Sequence, residues 1–471
     1  VVETANLRVR TDIGAEQAVD LAARYQRMHD AIPEYQLPCA FDRLTAPLEV
    51  TVRDRPHEES YFRFSQAPLL GLRPQLVLSS ADGRDSVRVF THEMAHQLVA
   101  VCFPGAPAWL NEGLAGFYET ARLDEDELTL GYPPYVFLQS EDWQAAPIHR
   151  RELDGERIFV LANALAPTVA ELRTMNRAEF YSLDDVEEVA NYAGAWALVH
   201  LLRFGEPAFY APFVRYERAL HAGEDEAVAW YTNFGQLDVA SRYQRYLTAD
   251  YFARARQVQT LPEGGLQARP MSREEVALLL AELQPWDDTR AVKRAETLIQ
   301  LAEEAQSTRI DAMLLRAALH LRQGDPLRAS SVLGRAHEEA PADADVLAAL
   351  LGVQLGSGEP SLAAKQRLGD WLGALRARAT RAHHFAIASA WEMQLSRDPD
   401  AALRSALRAI ELDGTNLFGY WVAGDAYRSL GDLRAALKAY QAALALSGHL
   451  VDENRRTLES EIAAVRAMLG E

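Results

Sequence analysis

Apolar and polar residues alternate with period two in LRVRT, residues 7–11, and this predicts a strand near the start of the chain. The next segment, AEQAVDLAARYQRMHDAI at 15–32, has apolar residues at helical spacing, and Pro33 is expected to end that helix. PLEVTVR at 47–53 and PQLVLSS at 74–80 read as two further strands. The turn ADGRDS then leads into a helix through FTHEMAHQLVAVCF, with Asp85 or Ser86 as its expected N-cap. Pro104 and Gly105 break it, and Pro107 suits the first turn of a second helix whose apolar face holds Trp109, Leu110, Leu114 and Phe117. From 159 to 254 the pattern is mostly helical, and NYAGAWALVHLLRF at 191–204 is its most apolar stretch.

A composition break follows. QVQTLPEGGLQARPMSREE, residues 257–275, holds two prolines and two adjacent glycines, and Ser272 with Glu275 forms a capping box for the helix beyond. Past this point the chain repeats. Gly324, Ala329, Ala336 and Pro341 stand at offsets 0, 5, 12 and 17, and Gly431, Ala436 and Ala443 reproduce the first three. Gly358 and Ala363 lie 34 residues after Gly324 and Ala329, while Ala402 and Ala409 lie 34 before Ala436 and Ala443. Tyr420, Gly424, Tyr427 and Tyr440 complete the last unit. The period and these small residues resemble the tetratricopeptide repeat, in which two antiparallel helices pack closely. A five-residue misfit between the Gly358 and Ala402 units makes the middle irregular. The expected division is a front domain at 1–256 (an α/β part to about 120 and a mainly helical part at 121–256), a linker at 257–272 and a repeat domain at 273–471.

The chemistry sits in the paired helices. His92 and His96 are four residues apart, or roughly 40° in azimuth on an α-helix, so both imidazoles leave one face about a turn apart. That suits two corners of a zinc tetrahedron. Glu93 flanks the same face, where a carboxylate can take a proton from a water on the ion. A third ligand must come from elsewhere, and the second helix presents Glu112 about one turn in. Glu119 is placed to orient a zinc-bound histidine or to stand solvated. His200, amid WALVHLL, reads as a core histidine, and His383 and His384 have no partner at ligand spacing. LDEDE at 123–127 reads as solvated loop.

Composition narrows the function classes. With 49% hydrophobic and 24% charged residues the chain belongs with ordinary folded proteins. A formal charge of −19 argues against a nucleic-acid groove or an anionic membrane surface, both of which need clustered Lys and Arg. No apolar run approaches the ~18 residues of a membrane helix. Cys39 and Cys102 are the only cysteines, which excludes a disulfide scaffold; a buried thiol at Cys102 is favoured over one bridge. The chain opens at Val1, which reads as processing or trimming. Export after removal of a targeting segment and a cytoplasmic location both stay open.

HEMAH followed by WLNEGLAGFYE resembles the gluzincin metallopeptidases, most closely the peptidase MA-like group, whose members often carry helical repeats behind the catalytic domain. The resemblance implies an α+β zincin-like catalytic domain, a small mixed sheet plus helices, followed by an all-α repeat domain. It implies one zinc ion per chain held by His92, His96 and Glu112, with Glu93 as general base. Tyr192 matches the tyrosine that steadies the tetrahedral intermediate in related aminopeptidases, a role suited to a phenol facing a developing oxyanion; an ordinary helix-start aromatic is its other reading. The strand at 74–80 takes the place where zincins pair an extended peptide along a sheet edge. The His96–Glu112 spacing is shorter than in aminopeptidases, and no Gly-x-Met-Glu-Asn segment precedes the helix, so endo- and exopeptidase action both stay open. The expected activity is peptide-bond hydrolysis by Glu-assisted attack of a zinc-bound water, with a protein partner docked on the repeats. The alternative is a non-catalytic repeat scaffold with a vestigial or structural zinc domain.

Overall fold

The computed structural model describes residues 1–36, 47–53, 60–64, 74–79, 83–103, 106–133, 148–153, 156–161, 166–181, 185–248, 251–258, 265–286, 288–305, 307–355, 360–446 and 452–470. Five strands, β1 (Val2–Glu3), β2 (Leu7–Thr11), β3 (Leu48–Val52), β4 (Tyr61–Phe64) and β5 (Pro74–Leu78), form one sheet in the order β1-β2-β3-β5-β4. The three inner strands run parallel, and β1 and β4 are antiparallel edges. The edge expected from the sequence at 74–80 is therefore an inner strand. The true edge, β4, is four residues long and carries too few alternations to stand out.

Register divides the sheet into two faces. Val9, Val50, Leu76 and Phe62 stand side by side and face the core made with helices α1 (Ala15–Gln36) and α2 (Gly83–Cys102). The neighbouring row, Arg8, Glu49, Gln75 and Arg63, points the other way. Arg8 and Arg10 both bind the buried Glu49 carboxylate. Arg63 Nε donates to Gln75 Oε1 at 3.0 Å, and Gln75 Nε2 donates to Glu282 Oε1 at 2.9 Å. Helix α1 runs a turn beyond Pro33, which deletes one N–H from the ladder without stopping it. Helix α2 begins at Gly83, ahead of the expected cap, and Ser86 is buried in its first turn.

After α3 (Ala108–Glu119), the acidic stretch expected as loop forms a hairpin of β6 (Arg122–Asp124) and β7 (Glu127–Leu130), with Glu125 at φ 50° in its turn. A second hairpin, β8 (Ile148–Leu153) with β9 (Glu156–Leu161), precedes the helices α4 (Val169–Thr174), α5 (Arg177–Phe180) and α6 (Asp185–His200). Helix α6 continues into a π-helical turn, Leu201–Gly205, and α7 (Pro207–His221), α8 (Glu226–Phe234) and α9 (Val239–Tyr246) follow. One apolar core gathers buried residues from Val2 to Val258.

The stretch expected as a linker is bound to this front unit at both ends. β10 (Arg254–Gln257) pairs with β7, Ala268 bridges to Val2, and Arg269 N donates to Val1 O at 2.8 Å. The Ser272–Glu275 capping box then starts α10 (Arg273–Leu283).

From there helices pair in sequence: α10 with α11 (Thr289–Glu303), α12 (Arg309–Arg322) with α13 (Pro326–Glu339), α14 (Ala344–Gln354) with α15 (Leu362–Arg376), α16 (Ala382–Trp391) with α17 (Pro399–Leu412), and α18 (Leu417–Ser429) with α19 (Leu433–Ala445). Helix α20 (Asp452–Leu469) closes the array. The first helices of successive pairs touch one another, as stacked repeats require. The repeat residues do what their size suggests. Ala329, Ala336, Ala402, Ala409, Ala436 and Ala443 are fully buried, and a Cβ on Gly424 would sit 2.6 Å from the Tyr440 ring. Gly324 and Gly431 turn at φ 75° and 85°. The irregular middle has a physical form. Ala363 is exposed and Leu368, Leu372 and Leu375 fill its helix's interface instead. A π-helical turn, Glu392–Ser396, extends α16, and Arg397 occupies the glycine slot at φ 50°.

Candidate metal centre

Helix α2 places His92 and His96 on one face, with ring centroids 4.9 Å apart and planes near perpendicular. Helix α3 carries Glu112 to the same point because its small residues let it lie deep against α6. A Cβ on Gly113 would stand 2.6 Å from the Ala195 carbonyl oxygen and 2.7 Å from Val199, so glycine after Glu112 is what permits the approach. Trp109, Leu110, Leu114 and Phe117 are fully buried around it. Glu112 is 2% exposed, and its Oε2 lies 3.6 Å from His96 Nε2 and 3.8 Å from His92 Nε2. Ligand atoms about 2.0–2.2 Å from a common ion at tetrahedral angles are themselves roughly 3.3–3.6 Å apart. The triangle is therefore close to the size that chemistry needs. Glu112 Oε2 is buried and, among the described residues, makes no hydrogen bond.

The surrounding groups sort the two nitrogens of His92. Its Nδ1 lies 3.2 Å from Glu119 Oε2, and Arg88 donates to the other oxygen of Glu119 at 2.7 Å. A carboxylate only accepts, so Nδ1 carries a hydrogen and Nε2 is turned towards Glu112. Burial opposes charge on His92, but the Glu119 hydrogen bond and the charges of Glu119, Glu93 and Glu112 outweigh it and push its pKa up to about 9. Burial likewise raises the Glu119 carboxyl, and His92 and Arg88 reverse this and hold it low. Glu119 is thus a paired group, not a solvated one. Glu93 is 9% exposed on the same helix.

Tyr192, on α6, is half-buried beside the cluster. Burial raises its pKa, and the charge of Glu112 raises it further, so the phenol stays protonated. The residue that touches Glu112 is one the sequence did not suggest: the Tyr181 hydroxyl donates to Glu112 Oε1, and Asn111 Nδ2 lies 3.4 Å from the same oxygen. Tyr181 is far from Glu112 along the chain and lies in no recognisable motif.

His200 is a core histidine, as expected. It is fully buried, its Nδ1 meets the Tyr246 hydroxyl at 2.7 Å, its Nε2 lies 3.1 Å from the Gly131 and Phe252 carbonyl oxygens, and burial pushes its pKa down to about 4. His383 and His384 do have a partner. Asp345 Oδ1 lies 3.0 Å from His383 Nε2 and 2.9 Å from His384 Nε2, and Arg381 holds its other oxygen. The backbone N–H groups of Thr380 and Arg381 point at His384 Nδ1 from 3.3 and 3.4 Å. That nitrogen accepts, so Nε2 bears the hydrogen and donates to Asp345. The group is a clasp between α14 and α16. Cys102 is fully buried and disulfide-bonded, which corrects the expected free thiol, since an apolar setting suits a half-cystine equally well. Cys39, the other cysteine, lies outside the described residues.

No family model matches the chain, and no curated protein matches it. Among solved structures, a MamA mutant aligns with 37% of this chain and 95% of its own, at 16% identity and a TM-score of 0.26. MamA MSR-1 C2 aligns with 38% and 97%, at 15% identity and a TM-score of 0.26. Superposition of that quality carries no functional argument. No described helix is long and apolar enough to cross a membrane.

Proposed function

We propose that the helix-pair array is a protein-docking scaffold and that the front unit is a zincin-like domain that binds one zinc ion and hydrolyses peptide bonds. The observation that carries the metal reading is the buried, unbonded Glu112 Oε2 facing two imidazole nitrogens. Both imidazole nitrogens stand beyond hydrogen-bond reach of this buried anionic oxygen, and a cation between the three groups would satisfy it in their place. His92, His96 and Glu112 would hold the ion, and Glu119 with Arg88 fixes the tautomer of His92. Zinc bound there would supply Lewis-acid polarisation of a carbonyl and a more acidic water. Glu93 would take the proton of the attacking water and return it to the leaving amine. Tyr192, kept protonated by burial and nearby carboxylates, would donate to the developing oxyanion. The antiparallel edge strand β4, beside α2, would receive an extended peptide segment.

The test uses the full chain. Zinc titration should reach one ion per chain. Glu93→Gln should keep that stoichiometry while peptide hydrolysis falls by at least ~10²-fold. Hydrolysis unchanged in Glu93→Gln would sink the mechanism.

A second reading is favoured by the array itself, whose stacked pairs form a complete scaffold independent of any metal chemistry. Under it the protein binds a partner and the front unit is a vestigial or structural zinc module. Purified chain that takes up zinc and binds a protein partner but cleaves no member of a broad peptide library would decide for this reading.

A further inference from the structure

The two oxygens of Glu112 have unlike surroundings. Oε2 faces the histidine nitrogens and has no hydrogen-bond donor, whereas Oε1 takes the Tyr181 hydroxyl and lies 3.4 Å from Asn111 Nδ2. The position of Tyr181 is itself fixed. The preceding residue, Phe180, is fully buried, packs edge-on against Tyr192 at 5.5 Å, and accepts a 2.9 Å hydrogen bond at its carbonyl oxygen from Asn191 Nδ2. Asn191 is itself 4% exposed. Helix α6 thus holds the end of α5 through Asn191, and α5 delivers the phenol to Glu112. Among the described residues Tyr192 makes no such bond, though its ring lies only 6.3 Å from that of Tyr181.

Resting on the metal reading above, we infer that Tyr181 is a positioning residue that holds Glu112 as a one-oxygen ligand. A carboxylate that grips an ion with both oxygens must turn Oε1 towards it, and here that would break the Tyr181 bond inside a buried site. Held by Oε2 alone, the carboxylate would offer the ion one ligand atom and leave room for water or a substrate carbonyl. The two neighbouring tyrosines therefore divide their work. Tyr181 is committed to the ligand, and Tyr192 is left to face the substrate.

The experiment loads the 471-residue chain with cobalt(II) in place of zinc and records its visible absorption, which is intense for four-coordinate and weak for five-coordinate ions. Tyr181→Phe keeps the ring and removes only the hydroxyl. The expected result is weaker bands together with zinc dissociation about 10–100-fold faster, measured by transfer to a chromophoric chelator. Tyr192→Phe should leave both readouts at the wild-type value. Thermal melting of the metal-free Tyr181→Phe chain should match the wild type, which separates ligand positioning from a packing defect. A Tyr181→Phe chain with wild-type spectrum and wild-type zinc release overturns the inference while leaving the metal reading intact. A wild-type chain that takes up no cobalt overturns both.

Discussion

Among the described residues two places bring a pair of histidines to one carboxylate, and their geometries differ. At His92, His96 and Glu112 the nitrogen-to-oxygen distances are 3.6 and 3.8 Å. At His383, His384 and Asp345 they are 3.0 and 2.9 Å. The shorter pair of distances includes a proton already shared between His384 and Asp345, and it leaves no space between the groups. What separates the two is the far nitrogen. In the first, His92 Nδ1 faces the Glu119 carboxylate and Nε2 is turned towards Glu112. In the second, His384 Nδ1 caps backbone N–H groups, and drawing Nε2 onto an ion would put a hydrogen against those donors. Convergence of ligand types alone is thus a weak criterion, and it is the partner of the remote nitrogen on His92 and on His384 that separates the two clusters.

The largest effect expected from this comparison is on metal content. Glu112→Ala should abolish stoichiometric zinc uptake, with helical circular dichroism retained, whereas Asp345→Asn should leave one ion per chain. Two ions of similar affinity in the wild type would erase the distinction between the clusters. Next, Glu119→Gln should weaken zinc binding about 10–100-fold in a competition titration, because the tautomer of His92 is no longer enforced. Gly113→Ala should lower the melting temperature by an amount equivalent to ~1–3 kcal/mol, since the new methyl meets the Ala195 carbonyl and nothing there can move cheaply. An equal change at Gly324, where a Cβ meets nothing within 4 Å, strains only the left-handed turn and should cost less.

The smallest effect is on acid stability. Burial raises the Asp345 carboxyl, but His383, His384 and Arg381 more than reverse this and hold it well below the ordinary carboxylate range. A group held low contributes stability above its unfolded pKa, and loses it as the pH falls through that value towards the folded one. One such group steepens the acid limb by up to about 1.4 kcal/mol per pH unit. Asp345→Asn should therefore flatten the loss of stability below the ordinary carboxylate range, as read by urea unfolding at stepped pH.

Local pattern carried the sequence reading a long way where partners are near in the chain. His92 and His96 share a helix, Glu112 is on the next one, and the glycine–alanine spacing of the array was readable because each pair is a local unit. Partners brought together only by tertiary packing were not readable. Tyr181, just past α5, meets Glu112 on α3, and Asp345 reaches His383 and His384 across a pair interface. The sheet edge was misplaced because β4 is short and crosses over, so chain order and spatial order differ there. The charged row Arg8–Glu49–Gln75–Arg63 is likewise joined only by packing: the buried Glu49 takes Arg8 and Arg10, and the buried Gln75 reaches Glu282 of the first array helix.

That contact makes the array something other than a free appendage. Its near end is welded through Val1–Arg269, Val2–Ala268 and the Glu282 contacts, whereas the last pair meets the front unit through Gln441, whose side chain donates to the Gly223 carbonyl oxygen at 3.0 Å. In polymer terms the array is a loop fastened at two points, and a stack of helices fastened at both ends cannot bend without straining one of them. A single neutral hydrogen bond is worth only about 0.5–1.5 kcal/mol net. Among the described residues the near fastening combines several bonds and the far one this hydrogen bond, so a change in the curvature of the array would strain Gln441 before anything near the histidines.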